Sequence, residues 1–169
     1  MTPAELLTDA FERILQTATG AVEELTDEQL ATRVTPDANS IAWLVWHLAR
    51  VQDDHVADVA GTEQVWTAQD FVSRFDLPFD AGVIGYGMSS EDVGRVRADA
   101  GLLTDYLRAV HEATIGYVST LSADDLDRVV DERWDPPVTL AVRLVSVVSD
   151  DLQHAGQAAY VRGLLTSRT

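Results

Sequence analysis

Cysteine is absent from the 169-residue chain, so a disulfide framework, a thiolate metal site and a cysteine nucleophile are all excluded. Lysine is absent too. All 12 basic residues are arginine, set against 28 Asp and Glu, for a net charge of −16. A surface of that sign repels phosphate backbones and anionic lipid headgroups, which argues against nucleic acid or a membrane surface as partner. The acids are interleaved along helical faces rather than gathered in runs, as on an ordinary solvated surface, so a nucleic-acid mimic is also disfavoured. No apolar run approaches the ~20 residues that span a bilayer. The opening residues, MTPAELLTDAFERIL, carry acids and no basic n-region, so no signal peptide is expected and the chain reads as cytoplasmic. Missing lysine beside abundant Arg, Ala, Val and Asp suggests a GC-rich genome or, given the acidity, a salt-adapted one.

What is present is apolar: 46% of the residues, enough for one domain over 1–169 to bury a core. Five Pro and ten Gly divide the chain into long helical blocks. Thr2-Pro3 pairs an N-cap with proline at the first helical position, and Leu6, Leu7, Ala10, Phe11, Ile14 and Leu15 recur at helical steps, predicting a helix to about Ala18. A second helix is expected from Ser40 to Ala60, closed by Gly61. A third starts at Ser89 or Ser90, with Glu91 and Asp92 in its first turn, and continues through Val118. A fourth runs from about Thr139 to Leu165. Short capped turns are expected at Thr26–Gln29 and Ser122–Asp125. Val138 to Val148 is rich in β-branched residues but leads into a helical pattern too long for a strand, so no strand is expected. The fold class is therefore all-α, a four-helix bundle. The connection from Gly61 to Met88 can cover well over the ~30 Å length of a ~20-residue helix, so the second and third helices can run parallel.

The chemistry rests on four histidines: His47, His55, His111 and His154. Asp150 and His154 are four residues apart on the fourth helix, within ~6 Å of each other on one face, where two side chains can chelate one ion. They interrupt a stripe of Leu140, Leu144, Val147, Ala158, Val161 and Leu165. The bland readings are a His–Asp hydrogen bond in the core, or a register that turns Asp150 outward with Asp151. His47, on the inner side of the second helix one turn after Trp43, is a third ligand or an ordinary core histidine. His55 lies ~12 Å further along the axis, too far to share an ion with His47, and reads as a pocket or surface residue. His111 is isolated. His47, Asp150 and His154 together make a two-His, one-carboxylate set with coordination positions left open, as in catalytic sites. Zn²⁺, Ni²⁺ and Fe²⁺ all accept such donors, so the residues alone do not name the metal. Gln157, one turn beyond His154, is a candidate for orienting a ligand or binding substrate, or a plain polar interruption. Arg143, on the same face as Asp150, holds an anionic substrate group or forms a structural ion pair. Trp43, Trp46 and Tyr86 are candidates for the pocket wall.

The stretches Trp43-Leu44-Val45-Trp46-His47-Leu48 and Asp150-Asp151-Leu152-Gln153-His154-Ala155-Gly156-Gln157 resemble the DinB-like, YfiT-type superfamily of four-helix-bundle metalloproteins. The resemblance spans nearly the whole chain. It implies an up-down-down-up topology with a long crossover between the second and third helices, and metal ligation by His47 and His154. The remaining ligand position, often His in that superfamily, is Asp150 here. A carboxylate there resembles the N-terminal domain of the mycothiol-dependent maleylpyruvate isomerase branch, where Glu takes the place. Asp is one methylene shorter, so it ligates directly or through a water. Nothing in the chain suggests the second domain that accompanies that isomerase bundle, so that activity is not expected.

The resemblance implies thiol transfer, or thiol-assisted isomerisation or hydrolysis, with a low-molecular-weight thiol. In an actinobacterial host that thiol is mycothiol. The expected function is a metal-dependent S-transferase in which the ion activates the thiol, or water, towards an electrophile. Its expected partners are the small-molecule thiol, the electrophile and a second copy of the chain in a homodimer. The alternative is a non-catalytic binding protein of the same fold with a vestigial metal site.

Overall fold

The computed structural model describes residues 1–167. Helix α1 (Pro3–Val22) starts at a capping box: Thr2 accepts from the Glu5 amide, while the Glu5 carboxylate accepts from the Thr2 amide at 2.7 Å. A second capping box, Thr26 with Gln29, opens the short α2 (Asp27–Ala31). Ser40 caps α3 (Ile41–Ala60), and Gly61 closes it in the left-handed conformation at φ 68°. The following connection contains two short helices, α4 (Val65–Ala68) and α5 (Phe71–Phe75).

The helix expected from Ser89 or Ser90 to Val118 is two helices, α6 (Ser90–Arg95) and α7 (Ala100–Val118). Val96 turns extended at ψ 108° to bury its side chain, and the Asp99 carboxylate recaps the chain by accepting from the Leu102 amide at 2.8 Å. The strandless expectation also needs correction. Strands β1 (Val129–Asp131) and β2 (Val138–Thr139) form a small antiparallel pair. Pro136 and Pro137 bar a helix just before Val138, which leaves it free to pair before Thr139 caps α8 (Leu140–Thr166).

The molecule is an all-α bundle apart from that hairpin. Helices α1 and α3 each pack against both α7 and α8, so the four long helices enclose one core, with α3 buried nearly all round. Asp53 meets Tyr106 and Val59 meets Tyr117, so α3 and α7 run in the same sense. His55 faces Arg143 while His47 faces His154, so α3 and α8 run in opposite senses. Among the described residues no helix is long and apolar enough to cross a membrane.

The buried stripe of α8 passes through Leu140, Leu144, Val147, Asp151, Ala155, Ala158 and Val161. The sequence reading runs it through Asp150 and His154 instead. One helical turn beyond Val147 falls between residues 150 and 151, so periodicity alone does not choose between them. Asp151 takes the core position at 0% exposure, and Asp150 and His154 flank the stripe, half-buried, on the side facing α3.

Candidate metal centre

On α3, Trp43 and His47 stack with ring centroids 4.5 Å apart. The Nδ1–H of His47 donates to the carbonyl of Ile84 at 2.5 Å, which leaves Nε2 as the bare donor atom. Burial lowers the His47 pKa from its usual value, opposed by that hydrogen bond, lowered further by His154 and raised by Asp150. The ring is therefore neutral near pH 7, as a ligand must be. Across from it on α8, His154 Nε2 lies 3.7 Å from Asp150 Oδ1. The Nδ1–H of His154 donates to Gln157 Oε1 at 3.0 Å, again freeing Nε2. The two imidazole centroids are 4.9 Å apart. One ligand atom each from His47, Asp150 and His154 lies within 4.8 Å of the others.

The crossover reaches this point because α3 holds it through a buried polar network. Arg50, 0% exposed, donates to the carbonyls of Ala81 and Val83 and to Gln64 Oε1. Asp53 accepts from the amides of Val65 and Trp66, each at 2.8 Å, and from the hydroxyl of Tyr106. Burial raises the Asp53 carboxyl against those hydrogen bonds, and burial together with Asp53 raises the Tyr106 phenol well above its usual value. The phenol therefore keeps its proton and donates. These bonds deliver Ile84 to His47 and bring Gly85, at φ 107°, so close that a Cβ there would lie 2.3 Å from His47 Nδ1. Tyr86 then presents its ring edge-on to His47 at 5.2 Å.

A cavity of about 450 Å³ opens beside Asp150, lined among others by Val51, His55, Tyr86, Ser146, Ser149 and Gln153. A larger cavity of about 550 Å³, between α3 and α7, touches none of the trio. Arg143 sits behind His55: Nη1 donates to His55 Nδ1 at 3.0 Å, and Nη2 pairs with Asp131 Oδ2 at 3.2 Å. Arg133 also clamps Asp131, holding its carboxyl far below the usual carboxylate range, with Arg143 helping.

Of the aromatic wall read from the sequence, Trp43 and Tyr86 do stand at the site. Trp46 instead packs in the core against Trp66. His111 is buried beside Glu12 of α1, away from the trio. Two features escape the sequence reading. One is the Arg50–Asp53 pair, whose only signal is an oppositely charged i, i+3 pair on a helix with almost no polar face. The other is Asp151, whose carboxyl oxygens are closed off from solvent with no hydrogen-bond partner among the described residues.

Compared with known proteins, the chain matches the sequence model of the mycothiol-S-transferase family over residues 6–167. It is also similar to a crystal structure from Enterococcus faecalis described as a conserved protein. That likeness has a TM-score of 0.91 and 30% sequence identity, covering 99% of each chain. No curated protein matches it.

Proposed function

The chain belongs to the mycothiol-S-transferase family, and from that premise we propose that it is a metal-dependent enzyme joining a mycothiol-like low-molecular-weight thiol to an electrophile. The observation that carries this reading is the convergence of His47, Asp150 and His154. Two imidazoles and one carboxylate are a donor set for Zn²⁺ or Ni²⁺, with Fe²⁺ next, and three protein ligands leave positions open for a substrate. Asp150 Oδ2 fits this role: it is closed off from solvent and has no hydrogen-bond partner among the described residues. A cation answers both conditions.

A divalent ion held there supplies Lewis acidity, which lowers the pKa of an adjacent thiol enough to give thiolate near neutral pH. The chain does the rest. The Ile84 carbonyl and Gln157 fix the two imidazoles in the tautomer that leaves Nε2 free. Trp43 covers one face of His47, and Tyr86 stands roughly perpendicular to its ring. The cavity beside Asp150 supplies room for the two substrates, with Arg143 acting on it through His55. In the transfer the thiol releases its proton to solvent, a carbon–sulfur bond forms, and the leaving group departs with the electron pair of its broken bond.

The test is turnover of mycothiol with an alkyl halide by protein loaded with Zn²⁺ or Ni²⁺, beside chelated protein, with bacillithiol and glutathione as alternative thiols. Thiol consumption that needs the metal and disappears in His154→Ala supports the proposal. No metal-dependent consumption of any of the three thiols overturns it.

A further inference from the structure

His55 lies eight residues after His47 on α3, ~12 Å further along the helix axis, at the cavity rather than at the metal trio. Its Nδ1 faces Arg143 Nη1 at 3.0 Å. A guanidinium has donors only and does not release its proton, so Nδ1 must be the acceptor. The single proton of the neutral ring therefore sits on Nε2. A second proton, on Nδ1, would point at the guanidinium. Burial and Arg143 both lower the His55 pKa, and Asp54, Asp58 and Asp150 oppose them. Arg143 is itself immobilised by Asp131, which Arg133 clamps through Nε at 2.9 Å and Nη2 at 2.8 Å. The tautomer is thus set by a chain of three charged side chains behind the ring.

Nε2–H has no hydrogen-bond partner among the described residues, and it is not among the atoms sealed from solvent. It is an open donor on a ring that lines the cavity. The neighbours there define what it can receive. Tyr86, Ser146, Ser149 and Gln153 are neutral, and Asp150 is acidic. Arg143 is held in place by Asp131, whose one carboxylate it shares with Arg133. An anionic group would meet the field of Asp54 and Asp58 and, in the metal-free protein, of Asp150. A neutral oxygen meets no such penalty.

Building on the thiol-transfer reading, we propose that His55 is a specificity-determining residue. Held as the Nε2–H tautomer by Arg143, it donates a hydrogen bond to a neutral carbonyl or amide oxygen of the thiol or of the electrophile. The substrate class that follows is an extended molecule, with its reacting sulfur or carbon at the trio and a neutral acceptor about two helical turns away.

Two measurements on the full chain decide this. Long-range proton–nitrogen correlation spectra of the metal-free protein at pH 7 should show His55 as the Nε2–H tautomer, and Arg143→Met should release it into a mixture. A Nδ1–H or doubly protonated ring in the parent protein overturns the proposal. In zinc-loaded protein, His55→Ala should raise KM about 5- to 10-fold for one substrate, with a smaller change in kcat and unchanged zinc content, the loss expected for one neutral hydrogen bond. His55→Gln, which keeps an N–H donor, should recover part of it. The substrate whose KM moves identifies the carrier of the oxygen, whereas unchanged KM for both overturns the proposal. Absence of turnover in the parent protein would tell against the thiol-transfer reading instead. The tautomer, read without metal or substrate, stands or falls separately.

Discussion

Replacing Gly85 with alanine asks whether the crossover is what aims His47. The added Cβ would sit 2.3 Å from His47 Nδ1 and 3.1 Å from Cε1 and Cγ, so one side must move by roughly 1 Å to reach ordinary contact distance. The backbone at φ 107° is itself a conformation that side chains with a Cβ rarely adopt, adding about 1 to 3 kcal/mol. Relief comes either from rotating the imidazole or from lifting the segment, and both break the bond from Nδ1–H to the Ile84 carbonyl. Losing the partner that orients a ligating histidine costs about 10- to 100-fold in metal affinity, or roughly 1.4 to 2.7 kcal/mol. Zinc competition against a chelator of known affinity measures the loss of metal affinity. Thermal unfolding of the metal-free protein measures the strain, at about 2 to 4 °C per kcal/mol for a chain of this size. Gly82→Ala is the control, since a Cβ there meets nothing within 4 Å. Wild-type zinc affinity in Gly85→Ala would refute the idea that this segment positions His47.

Gln157→Leu removes the acceptor for His154 Nδ1–H and should lower zinc affinity about 10-fold or more, with little change in stability because Gln157 is exposed. Arg50→Met should destabilise the fold by about 3 to 5 kcal/mol in urea unfolding, and weaken zinc binding too, because it leaves Asp53 without its cation and frees the crossover. Asp151→Asn should stabilise the metal-free protein at neutral pH. Burial raises the Asp151 carboxyl well above 3.8, with Asp150 adding to it. The folded state therefore holds a proton that the unfolded state has released, and stability falls as pH rises from about 4 towards the folded pKa. Urea unfolding at pH 5 and pH 8 should show that decline in the parent and not in Asp151→Asn. Equal slopes would contradict it.

The four long helical segments are legible because their ends are written in local chemistry: Thr2-Pro3, Ser40 with Gly61, and Thr139 each satisfy or terminate a helix within a few residues. The trio is legible as well, since i, i+4 spacing fixes Asp150 near His154 whatever the rest of the fold does. The break between α6 and α7 is not, although Asp99 is a competent cap. Ending a helix there gains the burial of Val96, which depends on what packs against it. The same holds for Trp46, whose place in the core is set by Trp66 from the crossover. Gly85 appears in the sequence as one of three glycines in a loop. Only the Arg50–Asp53 network, which joins residues 12 to 31 positions apart, shows that it touches His47. Choosing Asp151 over Asp150 for the interior likewise required the neighbouring helices.

The function proposed here stands on His47, Asp150 and His154 meeting at one cation, and the X-ray absorption spectrum of the zinc-loaded chain examines that without reference to turnover. The expected spectrum shows two imidazoles and oxygen donors around the metal, falling to one imidazole in His154→Ala. A spectrum without imidazole scattering, or one that His154→Ala leaves unchanged, would contradict it.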